Sequence, residues 1–168
     1  MVSFASAHTL LRISQKYDML FLINDANEVG GLKCAFFGNR DAPEEVYEIL
    51  KQTIIKLVEK EKVTEFFVGT HGRFDKMVYA VLRELQPSYG FQFNVVLAYL
   101  NRGEYSPKET LYPEGIEKVP LRYAIVWRNR WMIDRSDYVV TYTKQTTGGA
   151  WMMKELAQKK KKRIIELA

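Results

Sequence analysis

Lys33-Cys34-Ala35-Phe36-Phe37-Gly38-Asn39-Arg40-Asp41-Ala42-Pro43-Glu44-Glu45 contains a complete strand-to-helix transition. Lys33 to Phe37 is a short apolar run without polar alternation, the pattern of a strand covered on both faces, and Gly38 stops it. Pro43 fits the first turn of a helix, and Glu44 and Glu45 suit its positive end. Val46, Ile49, Leu50, Thr53, Ile54, Leu57 and Val58 then recur at helical spacing, a stripe that has to cover a sheet.

The same unit recurs downstream. Glu65 to Val68 reads as a strand closed by Gly69, and Phe74, Met77, Val78, Val81, Leu82 and Leu85 as a helix, with Pro87 ending the region. Phe93 to Ala98 is a third strand, Leu121 to Arg135 a third helix and Tyr138 to Tyr142 a fourth strand. Thr143 to Gly149 forms a loop, Ala150 to Lys160 a helix and Arg163 to Leu167 a last strand. Strands alternating with helices pair in parallel through right-handed crossovers. The expected fold is therefore α/β, a Rossmann-like three-layer sandwich with a mostly parallel five-stranded sheet in the order 3-2-1-4-5. Asn101 to Lys118 is too long and polar for an ordinary connection and reads as a functional loop, in which Tyr112-Pro113 could cap a base. Residues 1–31 read as an appendage, with a short helix over Ala7 to Lys16, a short strand over Met19 to Ile23 and a turn-rich end at Gly30-Gly31; the Rossmann-like domain spans 32–168.

In such sheets ligands bind beyond the carboxyl ends of the strands, where the winding reverses, here between the first and fourth strands. Gly38, Asn39 and Arg40 follow the first strand; Thr146, Thr147, Gly148 and Gly149 follow the fourth. Glycine lets a phosphate approach backbone N–H groups at a helix start, and Arg40 adds a planar donor fork. After the second strand, Gly69, Thr70, His71 and Gly72 offer N–H and hydroxyl groups, and Asp75 either accepts from a ribose or stabilises its helix start. On the third helix Arg122 and Arg128 stand six apart beside Asn129, so one of them faces solvent. Trp127 and Trp131, four apart, read as core.

The chain has 168 residues, 47% hydrophobic and 27% charged, ordinary for one globular domain. Its net charge of +5 equals the charge of Lys159, Lys160, Lys161, Lys162 and Arg163 alone, so the remainder sums to zero. The run reads as a solvated helix end, and nucleic acid ranks low as a partner. One cysteine, Cys34, excludes an internal disulfide, and two histidines far apart give no zinc site. No metal, cofactor or membrane span is expected, and the localisation expected is cytoplasmic.

Phe36-Phe37-Gly38-Asn39-Arg40, Gly69-Thr70-His71-Gly72-Arg73-Phe74-Asp75, Tyr112-Pro113-Glu114-Gly115, Arg128-Asn129-Arg130-Trp131-Met132 with Ser136-Asp137, and Gly148-Gly149 together resemble the YpsA-like branch of the SLOG superfamily. The resemblance runs from Leu32 to the end and implies a Rossmann-like fold that binds nucleotides or nucleotide-derived ligands. The related LOG proteins are phosphoribohydrolases of cytokinin nucleotides. By spacing, Arg128 resembles their arginine, Gly148 and Gly149 their paired glycines, and Glu155 their glutamate. Trp151 and Met152 stand where the LOG pattern has a further glycine and a threonine.

The leading expectation is binding or sensing of a nucleotide or nucleotide-derived phosphate, with a homo-oligomer as a further option. One alternative is N-glycosidic hydrolysis of nucleoside monophosphates by Glu155 and Arg128. The other is a nucleic-acid or protein interaction module built on the basic run and the appendage.

Overall fold

A computed structural model describes residues 30–100 and 104–167. The helix and strand expected over 7–16 and 19–23 lie outside the described residues. From Gly31 onward the elements are β1 (Leu32–Gly38), α1 (Val46–Glu59), β2 (Val63–Val68), α2 (Arg73–Tyr89), β3 (Gln92–Val96), β4 (Thr110–Leu111), α3 (Ala124–Asp134), β5 (Tyr138–Tyr142), α4 (Gly149–Lys159) and β6 (Arg163–Glu166). Two 3-10 turns, Ile116–Lys118 and Leu121–Tyr123, precede α3.

The sheet has six strands in the order β4-β3-β2-β1-β5-β6, and each pairing is parallel. The expected order 3-2-1-4-5 is present in it as β3-β2-β1-β5-β6. The sixth strand corrects the reading of 101–118 as one long loop: Thr110 pairs with Val95 and Leu111 with Val96, which covers the edge of β3. Two residues are too few to leave a period in the sequence.

Successive side chains of β1 point to opposite faces, and that divides the core. Cys34 and Phe36 join Phe66, Val68, Tyr138 and Val140 beneath α1 and α2. Ala35 and Phe37 join Phe67, Val96 and Val139 beneath α3 and α4. This is the expected three-layer arrangement, and it explains why β1 has no polar alternation. Cys34 is fully buried, and burial pushes its thiol up, away from thiolate chemistry.

Pro87 lies inside the last turn of α2, correcting the expectation that it ends the helix. Near a C-terminus its missing N–H costs one hydrogen bond and leaves the turns before it intact. Gly90, at φ 70°, closes the helix instead, its N–H donating to the Gln86 carbonyl.

Gly38 sets how closely α2 approaches β1. A Cβ there would lie 2.2 Å from Cγ of Phe74, whose ring is fully buried and stacks on Tyr142. Gly38→Ala is expected to cost roughly 1–3 kcal/mol through overpacking, read as a lower urea midpoint at unchanged slope.

Candidate functional site

The carboxyl ends of β1, β2 and β5 open into a cavity of about 430 Å³, lined from β1 by Phe36 to Asp41, from the β2 end by Gly69, His71 and Asp75, from α3 by Ile125, Arg128 and Asn129, and from α4 by Gly149 and Ala150. That volume lies in the range of small-molecule sites, roughly 300–1,000 Å³. Its position is the switch point, since β1 is flanked by β2 on one side and β5 on the other.

Two loops distant in sequence converge there. The Asn39 N–H donates to the Tyr142 carbonyl at 3.1 Å, and its side-chain Oδ1 accepts from the Lys144 N–H at 2.7 Å. The Arg73 N–H donates to the Arg40 carbonyl at 2.9 Å, drawing the start of α2 against the same loop. Gly72 makes this approach practicable: its φ is 93°, and a Cβ would sit 2.7 Å from the Arg40 Cα. Helices α2 and α4 thus both begin near the cavity, with their positive dipole ends toward it.

Arg128 supplies the charge. It is 1% exposed, on the stripe Ala124, Arg128, Met132 that faces inward from α3. Its Nη1 donates to the Val96 carbonyl at 2.6 Å, its Nε to Asn129 Oδ1 at 2.7 Å, and its Nη2 lies 3.5 Å from Nδ1 of His71. No carboxylate pairs with it within 4.0 Å among the described residues. The nearest negative influence is Asp75, one of its neighbours around the Gly69 Cα. Burial pulls the guanidinium's pKa down and Asp75 opposes that shift.

Asp75 accepts the His71 N–H at 2.9 Å, so it stabilises the start of α2 and lines the cavity at once. Desolvation raises its pKa to about 6, against the pull of that hydrogen bond, Arg128 and Arg40. For His71, desolvation first, and then Arg128 and Arg40, lower the pKa, with Glu104 acting in the other direction. Thr70 has its hydroxyl 3.0 Å from Nδ1 of His71 and does not line the cavity.

Of the residues expected from sequence, the cavity brings together Gly38, Asn39, Arg40, Gly69, His71, Asp75, Arg128, Asn129 and Gly149. Thr147 and Gly148 are exposed just ahead of Gly149, outside the lining. Arg122 faces solvent, stacked at 4.7 Å over the Tyr123 ring. Glu155 is exposed on α4, whose inward face carries Met153 and Ala157, so it does not reach the cavity. Trp131 packs edge-on against Phe67 in the core. Asp41 and Ile125 line the cavity without having been singled out in the sequence; Ile125 lies one turn before Arg128.

No family model matches the chain, and no curated protein matches it. Solved structures do. The X-ray structure of DNA processing protein A from Streptococcus pneumoniae superposes with a TM-score of 0.61 at 14% identity, over 80% of this chain and 50% of that one. The Helicobacter pylori DNA processing protein A, described in terms of its single-stranded DNA binding mode, gives 0.57 at 17% identity, over 80% of this chain and 64% of that one. This chain thus spans about half to two thirds of their lengths. The likeness establishes the Rossmann-like fold and does not single out the YpsA-like branch. No helix among the described residues is long and apolar enough to cross a membrane.

Proposed function

We propose that this chain binds single-stranded nucleic acid by seating one nucleotide, phosphate inward, in the cavity between Gly38 and Gly149. The observation that carries this reading is Arg128, a buried cation with no paired carboxylate among the described residues, held by Val96 and Asn129 at the cavity wall. An anion in the cavity can pair with it directly, and Arg40 and the starts of α2 and α4 supply further donors. The fold shared with a protein studied for single-stranded DNA binding supports a strand as the ligand.

This moves the nucleic-acid reading to a different surface. The basic run joins the end of α4 to the start of β6, at the amino edge of the sheet, opposite the cavity. There Lys160 pairs with Asp134, and Lys162 Nζ reaches the Asp134 carbonyl at 3.4 Å. The run is partly committed to closing α4 onto α3.

Gly149 provides the test. A Cβ at this position meets nothing within 4 Å, so a side chain can be added at the rim of the cavity without a clash at Cβ. Fluorescence anisotropy with a labelled oligothymidylate is expected to show salt-dependent binding by the full chain, at least tenfold weaker binding by Gly149→Leu, and no loss in melting temperature. Equal affinity of Gly149→Leu and the parent would move the strand off this cavity. The cavity's size also favours a second reading, a free nucleotide or nucleotide-derived phosphate. Stabilisation by nucleoside monophosphates without oligonucleotide binding would select it.

A further inference from the structure

We propose that Tyr123, backed by Arg122, is a stacking platform for the base next to the nucleotide seated on Arg128. The inference rests on the nucleic-acid reading and adds a second subsite to it. Tyr123 is 51% exposed and Leu121 beside it 73%, on the 3-10 turn that leads directly into α3. Exposed aromatic surface beside an anion site is the combination that binds single strands, since every base offers a π-face whatever its identity.

Three features tie this patch to the cavity. Ile125, two residues beyond Tyr123, lines the cavity, and Arg128 follows three residues later. At about 1.5 Å of rise per residue, Tyr123 stands about 7.5 Å before Arg128 along the helix axis. The turn is also braced from the β3 side. Tyr99 donates its hydroxyl to the Leu121 carbonyl at 3.0 Å, and its ring meets His71 edge-on at 6.2 Å. The platform and the wall of the phosphate seat therefore share a support.

The Arg122 guanidinium stacks 4.7 Å above the Tyr123 ring and makes no ion pair among the described residues. It orients the ring and leaves a cation beside the phosphate that joins the two nucleotides. A protein partner for this patch would more naturally be met by a broad apolar face. Here the exposed aromatic ring is stacked on a cation, Arg122, which favours a polyanion.

The test uses the full chain with Tyr123→Ala, Tyr123→Trp and Arg122→Ala. Against an oligothymidylate, Tyr123→Ala is expected to bind about 5- to 150-fold more weakly, and Tyr123→Trp at least as tightly as the parent. Tyr123→Ala should leave the salt slope unchanged, because the side chain is neutral, whereas Arg122→Ala should flatten it by about one. Irradiation of a 5-iododeoxyuridine oligonucleotide should cross-link to Tyr123. If Tyr123→Ala binds as the parent does while Gly149→Leu does not bind, the platform is wrong and the cavity stands. If the parent binds no oligonucleotide, both fall together. If Tyr123→Ala changes only the sedimentation behaviour, the patch is a protein contact and the platform is likewise overturned.

Discussion

Replacing Arg128 with methionine is expected to weaken oligonucleotide binding at least a hundredfold while leaving the melting temperature unchanged or higher. The two halves of that result discriminate between roles. A guanidinium 1% exposed and without an ion-paired carboxylate among the described residues carries a desolvation cost of several kcal/mol. Its hydrogen bonds to Val96 and Asn129 return roughly 1.5–3 kcal/mol each and do not clearly exceed that cost. Methionine follows a similar unbranched path beside Met132 and removes the charge. A residue kept for folding would instead leave a gap: Arg128→Met would then lose more than about 3 kcal/mol in urea unfolding, with binding lost only as a consequence. Stability kept and affinity lost identifies a charge retained for a ligand.

Much of the architecture was legible because parallel strands buried on both faces read as short apolar runs, and glycine closes two of them where a ligand or a helix start must come close. Cys34 to Phe37 and Phe66 to Val68 are such runs, closed by Gly38 and Gly69. Strand β4 was not legible: its two residues derive their strand character from pairing with Val95 and Val96, a tertiary effect without a local pattern. Helix α2 runs two residues past Pro87, beyond the end of its apolar stripe at Leu85, and Gly90, not the proline, takes the left-handed conformation that closes it.

The site was legible in its glycines and less so in its charges. Arg122, Arg128 and Arg130 look equivalent as a basic cluster, yet only Arg128 falls four residues from both Ala124 and Met132, the fully inward stripe of α3. Reading the arginine as a member of an apolar stripe would have placed it at the cavity wall. The same spacing rule applied to α4 puts Glu155 between the inward residues Met153 and Ala157, on the opposite side of the helix. Burial of Asp75, by contrast, depends on β2, α2 and α3 together, and no single segment announces it.

That burial makes the cavity sensitive to pH in a direction that can be worked out. Asp75 is raised from 3.8 to about 6, so above pH 6 the folded chain holds an ionised carboxylate that the unfolded chain solvates better. The cost, roughly 3 kcal/mol, is relieved as pH falls from about 6 toward 4, because the folded state takes the proton first. His71 acts oppositely: its pKa is lowered from 6.5, so acidification below that value favours the unfolded chain. Asp75→Asn keeps an acceptor for the His71 N–H and removes only the first contribution. It should therefore be more stable than the parent at pH 8, by up to roughly 3 kcal/mol, with the difference vanishing near pH 4. For binding, Asp75 sets the direction: protonating it removes a negative charge beside Arg128, while a phosphodiester stays singly charged throughout. Affinity for an oligonucleotide at constant ionic strength should rise roughly tenfold or more from pH 8 to pH 5.5. Asp75→Asn should bind more tightly at pH 8 and follow a shallower profile. An affinity that does not change with pH in the parent would mean that the bound phosphate lies away from Asp75 and His71, and so outside this cavity.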